Sequence, residues 1–189
     1  MKDKIIKAKE VILNGGVILY PTDTIWGIGC SAIIESAIKK IFRIKRRDNS
    51  KLLISLVSSI EMLERYVKNV PEYVLEYLYD ESPTTIIYPK VKGLNHTLYG
   101  KNGSIAIRLV KDNFCKALIE EINSPLISTS ANISGNPFPK KFKEIDKSII
   151  NQVDYVVNLN DSNLINSKPS RIIKVSLKGQ IEIIREWLT

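Results

Sequence analysis

The chain is poor in the residues that staple or metallate small proteins. Its 189 residues include 2 cysteines, Cys30 and Cys115, and a single histidine, His96. That excludes a disulfide framework and the paired-cysteine spacing of a zinc site. Nucleophilic catalysis has no visible basis either, because His96 lies in a loop away from the polar motifs and neither cysteine has an activating neighbour. No apolar run approaches the roughly 18 residues of a membrane span. The opening MKDKIIKAKEVILNGG alternates charged with apolar residues and lacks the continuous stretch of a signal peptide, so a cytoplasmic protein that does not enter a membrane is expected. There is no G-x-x-x-x-G-K-[ST], so a nucleotide would not be held by a P-loop.

What is present is an ordinary globular composition with a basic excess. Apolar residues make up 44% and charged residues 25%, which suits one domain with a real core. Against 20 acidic residues stand 28 Lys and Arg, a net charge of +8. The excess favours anionic partners such as nucleotides or nucleic acid, although many of the lysines simply solvate helix faces.

Apolar runs and helical patterns alternate along the chain. Helices are expected over Asp3–Asn14, Ser36–Arg46, Ser59–Val67, Pro71–Tyr79 and Asn113–Ile122, with a weaker one over Phe142–Val153. Strands are expected at Val17–Tyr20, Leu52–Val57, Thr85–Tyr88, Ile105–Leu109, Leu126–Thr129, Tyr155–Leu159, Ile172–Val175 and Ile181–Ile184. Thr85–Tyr88 and Ile105–Leu109 are joined directly by a loop, which predicts an antiparallel pair within a mixed sheet. The fold class is therefore α/β, with some α+β character: one twisted parallel/antiparallel sheet with helices on its faces.

Three strand-end segments are unusually polar. They are PTDTIWGIGC after the first strand, IKRRDNSK before the second, and STSANISGNP after Leu126–Thr129. Strand ends are where open α/β sheets bind ligands. Gly27 to Ala32 formally matches G-x-G-x-x-A, but Pro21 to Trp26 separate it from the strand, so a dinucleotide fingerprint is set aside. Ser128, Thr129, Ser130 and Asn132 supply more hydroxyl and amide groups than a turn needs, a set suited to phosphate or carboxylate oxygens. Lys45, Arg46 and Arg47 at a helix end have an electrostatic use as well, since cations there offset the macrodipole.

Taken in this order, the segments resemble the YrdC/TsaC family of threonylcarbamoyl-AMP synthases. PTDTIWGIGC is similar to P-T-[DE]-T-x-aromatic-G-[LIV]-G, Lys45 to Arg47 to K-x-R, and STSANISG to S/P-S-A-N-x-S-G. SIAIRL resembles the family's A-x-R strand, and KPSRII its late serine segment. There are departures: no proline follows Arg47, Trp and Gly are missing before Pro83, and no histidine follows the A-x-R strand.

The resemblance implies a YrdC-like single domain over residues 1–189, with a basic concave cleft and without the C-terminal domain of longer members. It implies a nucleotidyltransferase that makes threonylcarbamoyl-AMP and pyrophosphate from L-threonine, bicarbonate and ATP, with Mg2+ accompanying ATP and no dedicated metal ligands. Lys45, Arg47, Ser130 and Asn132 would be catalytic. Arg47, Lys51, Ser104, Ser130 and Arg185 would bind ATP, while Thr22, Arg108, Ser128 and Ser170 would hold threonine. A downstream transferase complex would pass the product to tRNA. Two alternatives remain. One is a paralogue using this fold for another carbamoyl or nucleotide reaction. The other is a non-catalytic module binding tRNA or double-stranded RNA.

Overall fold

A computed structural model describes residues 1–68, 70–100, 103–159 and 168–186. Its frame is a nine-stranded sheet. The strands are β1 (Ile18–Tyr20), β2 (Gly27–Ser31), β3 (Ile54–Val57), β4 (Thr84–Tyr88), β5 (Ile105–Leu109), β6 (Leu126–Ser130), β7 (Tyr155–Val156), β8 (Arg171–Val175) and β9 (Ile181–Arg185). Their spatial order is β7-β1-β2-β6-β3-β5-β4-β8-β9. Pairs β1–β7, β3–β5 and β4–β8 are parallel and the other five are antiparallel, including the expected β4–β5 pair.

The helices are α1 (Lys2–Leu13), α2 (Glu35–Lys45), α3 (Ile60–Glu64), α4 (Glu72–Tyr79), α5 (Asn113–Ile122) and α6 (Lys147–Ile150). Helix α1 packs on α5 and over β1 and β2, and α2 packs over β2. Their apolar stripes supply Ala8, Ile12, Ile38, Ile41, Leu118 and Ile119 to the core, all at most 1% exposed. Among the described residues no helix is long and apolar enough to cross a membrane.

Beyond shorter bounds for α3 and β7, two segments differ in kind from the sequence reading. The expected helix over Phe142–Val153 is a 3-10 turn, Phe142–Glu144, followed by the four-residue α6. Asp146 separates them, because its side chain accepts from the backbone N–H of Ser148 and starts a new helix. The additional strand is β2, whose two glycines disguise it. It is buried along its whole length, and a Cβ at Gly29 would stand 2.4 Å from the Ile127 carbonyl and 2.9 Å from the Tyr20 ring. Only glycine fits between β1 and β6 there.

Register turns this sheet into a binding surface. Gly27 lies opposite Ser130 and Gly29 opposite Ser128; Ser128 lies opposite Ile54; Leu56 lies opposite Arg108, and Arg108 opposite Thr85. Directly opposed residues project to the same face. One face therefore carries glycines, hydroxyls and an arginine, while Ile28, Cys30, Ile107, Ile86 and Ile173 alternate with them and are buried in the core.

Candidate active site

The polar face of the sheet is the floor of a cleft of about 240 Å³. Gly27, Ser128, Ser130, Ile54, Leu56, Ala106, Arg108, Thr85 and Ile172 line the floor. Thr22, Thr24, Arg47, Phe138 and Ser170 rise around it from the connecting segments, and Arg185 from the end of β9. Of the residues expected from sequence, the structure brings together Thr22, Arg47, Arg108, Ser128, Ser130, Ser170 and Arg185. They come from six segments spread across the chain.

Arg108 is the central cation. It is 4% exposed, with Nη2 3.3 Å from Asp23 Oδ1 and Nη1 donating to Thr24 Oγ1 at 3.3 Å. Among the described residues its Nε has no hydrogen-bond partner. Arg47 lines the opposite side and donates from Nη2 to the Leu52 carbonyl at 2.9 Å. Arg185 lays Nε and Nη2 on the Ser170 carbonyl at 2.9 and 2.7 Å, and the Ser170 hydroxyl is 2.8 Å from that of Thr85. Burial lowers the pKa of Arg47, and burial followed by the charge of Arg108 lowers that of Arg185. Both remain cations at neutral pH. Three guanidiniums thus surround a hollow with one carboxylate, Asp23, beside it, a field that attracts anions.

Thr22 holds its own loop. Its Oγ1 accepts from the backbone N–H groups of Thr24 and Ile25 at 3.1 and 3.2 Å, and donates towards the Ile25 carbonyl at 2.7 Å. This is the turn chemistry of a threonine side chain, and it shapes the rim at residues 22–25.

Lys45 and Asn132 stand behind the cleft and do not line it. Lys45 is 1% exposed. Its Nζ donates to the carbonyls of Ser130 and Asn132, the latter at 2.8 Å, and to Asn132 Oδ1 at 3.2 Å. Burial, then the nearby charge of Arg47, lowers its pKa to about 7. Asn132 Oδ1 also accepts from the Ser130 hydroxyl at 2.5 Å, and its Nδ2 donates to the Asn136 carbonyl at 2.5 Å.

Lys51 is exposed and does not line the cleft, and Ser104 lines a second, larger hollow of about 1420 Å³. Leu52 and Ile87 border both hollows, so the two adjoin. Thr24 and Thr85 are site residues that sequence reasoning did not single out as ligand contacts, and Asp23 joins the site through its ion pair with Arg108. The available signal was a hydroxyl inside an apolar strand: in TTIIY, Thr85 takes the same face as Arg108.

A family model described as "Telomere recombination", that of Sua5/YciO/YrdC, matches residues 10–186. A protein of Methanocaldococcus jannaschii named putative threonylcarbamoyl-AMP synthase is 35% identical over 181 residues, which are 94% of this chain and 83% of that protein. The crystal structure of P. abyssi Sua5 complexed with L-threonine superposes with a TM-score of 0.78 at 27% identity, covering 90% of this chain and 50% of that one. The chain thus spans about half of that longer relative. The E. coli YciO structure has a TM-score of 0.81 at 23% identity over 98% of this chain and 90% of its own, a likeness of fold. With the family model matched over nearly its whole length, the chain belongs to the Sua5/YciO/YrdC family.

Proposed function

We propose that this chain is a threonylcarbamoyl-AMP synthase, a nucleotidyltransferase that converts L-threonine, bicarbonate and ATP to threonylcarbamoyl-AMP and pyrophosphate. The observation that carries this reading is the cleft itself, where three guanidiniums and several hydroxyls from distant segments converge on one sheet face. The name of the M. jannaschii relative and the threonine complex of P. abyssi Sua5 support it.

Arg108, Ser128, Ser170 and the rim held by Thr22 receive threonine, with Arg108 pairing to its carboxylate. Arg47, Ser130 and Arg185 receive phosphates of ATP. The cleft of about 240 Å³ is small beside the roughly 300–1,000 Å³ of ligand pockets. The nucleotide therefore extends past Leu52 and Ile87 into the second hollow, where Ser104 lies and where Ser50 and Leu52, the chain neighbours of Lys51, form part of the wall. The cleft's hydroxyls and guanidiniums suit phosphate oxygens, and Mg2+ enters as part of Mg-ATP.

Bicarbonate supplies CO2 with loss of water, and the neutral threonine amine attacks that CO2 and gives up a proton to solvent to form a carbamate. A carbamate oxygen then bonds to the α-phosphorus as the bond to pyrophosphate breaks. Two unit charges 4 Å apart at an effective dielectric of 20 repel by about 4 kcal/mol, which the guanidiniums offset as the reactants approach. No enzyme nucleophile takes part: Cys30 and Cys115 are buried, and burial raises both thiol pKa values. The product passes to a separate transferase that modifies tRNA.

The test is pyrophosphate release from Mg-ATP, with the product identified by mass. Release must require both threonine and bicarbonate, and Arg47→Ala must abolish it. Release indifferent to threonine would assign another reaction to the fold. No release, together with salt-sensitive RNA binding, would leave a binding module.

A further inference from the structure

Lys45 and Arg47 lie two residues apart at the end of α2, yet they serve opposite sides of the cleft wall. The helix ends with Arg46 in the left-handed region at φ 48°, with Arg46 N–H donating to the Arg43 carbonyl at 3.0 Å and Arg47 N–H to that of Phe42 at 2.9 Å. This Schellman ending swings Arg47 to the cleft and leaves Lys45 behind it.

An ammonium has three N–H donors and no acceptor. Lys45 places all three against oxygens of one turn: the carbonyls of Ser130 and Asn132 and the Asn132 side-chain amide. The backbone joins in, since Ser134 N–H donates to the Lys45 carbonyl at 2.8 Å. From its other side the turn is tied by Ala131 N–H to the Trp26 carbonyl, also at 2.8 Å. Within the turn, Asn132 links Ser130 to Asn136. Residues 131–136 belong to no helix or strand. These few bonds, together with the pairing of Ser130 to Gly27 at the end of β6, set where Ser130 presents its hydroxyl to the cleft.

Building on the function proposed above, we infer that Lys45 is a positioning residue, whose ammonium clamps the 130–136 turn from behind and acts on the reaction only through Ser130 and Asn132. With its donors engaged and its side chain enclosed, it has none left for a transferring oxygen. Among the described residues its charge is held by oxygen dipoles and not by a carboxylate, a costly arrangement that a turn-shaping role explains and simple packing does not.

The test combines an activity readout with two that do not need activity. Lys45→Met, Asn132→Ala and the double variant are compared by kcat/KM for Mg-ATP. Each single change is expected to lower it by about 30- to 100-fold, and the double by no more than about 3-fold beyond the worse single, because both act through one turn. Losses that multiply would overturn the clamp. Amide hydrogen exchange, without substrates, should quicken about tenfold or more at Ser134 and Asn136 in Lys45→Met, while α5 is unchanged. Unaltered exchange at the turn refutes the inference. In a wild-type crystal with threonine and a non-hydrolysable Mg-ATP analogue, Nζ should stay on Ser130 and Asn132; finding it on a phosphate or carboxylate oxygen also overturns the proposal. If the wild type releases no pyrophosphate, the functional reading fails, and the exchange experiment still decides the clamp.

Discussion

The two walls of the cleft use their cations in opposite directions. On the α2–β6 wall, Lys45 is 1% exposed and its ammonium is absorbed by oxygens of the neighbouring turn. On the β8–β9 wall, Arg185 is exposed as a residue, but its guanidinium is part-buried where it rests on the Ser170 carbonyl and lines the hollow. Both positive groups meet a main-chain carbonyl. Burial decides whether the charge then works inward on the chain or outward on a ligand.

The sharpest way to break this comparison is kinetic. Lys45→Met should lower kcat/KM for Mg-ATP by about 100-fold, because bonds from a charged donor are each worth about 1.5–3 kcal/mol. Arg185→Ala should lower it by about tenfold, as a part-buried cation in a set of three. Equal losses would erase the distinction between the walls.

The floor between the walls offers a second contrast. Gly29→Ala should destabilise the fold by about 1–3 kcal/mol in urea unfolding, since its Cβ meets a fixed carbonyl. At Gly27 a Cβ would stand 3.2 Å from Ser128 Oγ and 3.5 Å from Thr22 Cγ2, within the cleft. Gly27→Ala should leave stability nearly unchanged and raise the KM for threonine by about tenfold, the worth of one methyl group in a small pocket. A protein equally damaged by both changes would show that the glycines serve packing alone.

Dependence on pH tests the buried side more gently. Lys45 titrates near 7 in the folded protein, lowered by burial and by Arg47, against about 10.4 in an unfolded chain. Below about pH 7 both states hold the proton and the penalty for enclosing the charge is fully present. Between about 7 and 10 the unfolded chain binds more protons, so stability rises with pH. Activity should move the other way, with kcat/KM falling above about pH 7 as the turn loses its ammonium. Lys45→Met should lack both trends; if it keeps the alkaline fall in activity, another group is responsible. The smallest effect concerns the helix ending: Arg46→Gly should gain up to about 1 kcal/mol by relieving the left-handed conformation, with activity retained.

Much of this architecture could be read from the chain, for definite reasons. Helix α5 and strand β5 have the predicted bounds, because Asp112 caps the one and Ile105–Leu109 is a compact apolar run with turn residues before it. Strand β2 escaped because glycines carry no β-propensity and their role is set by neighbours distant in sequence. Arg47, Arg108, Ser128, Ser130 and Ser170 line the cleft, and it was the resemblance to the family that pointed to them, whereas Ser104 lies in the adjoining hollow. The orientation of Lys45 was not legible. A lysine is rarely fully buried, and nothing in IKRR says which cation faces the ligand. That depends on a backbone turn whose left-handed residue is an arginine where glycine is usual.

The order of strands also bears on how the protein comes into being. Gly27 pairs with Ser130, Ile54 with Ala106, and Thr84 with Arg171, so the hollow has no local precursor. Distant parts of the polypeptide must meet before any surface exists that a nucleotide can recognise, and such long-range closure is slow. During synthesis, the ATP proposed above would find its site only once β9 has left the ribosome, and from then on would favour only the folded molecule.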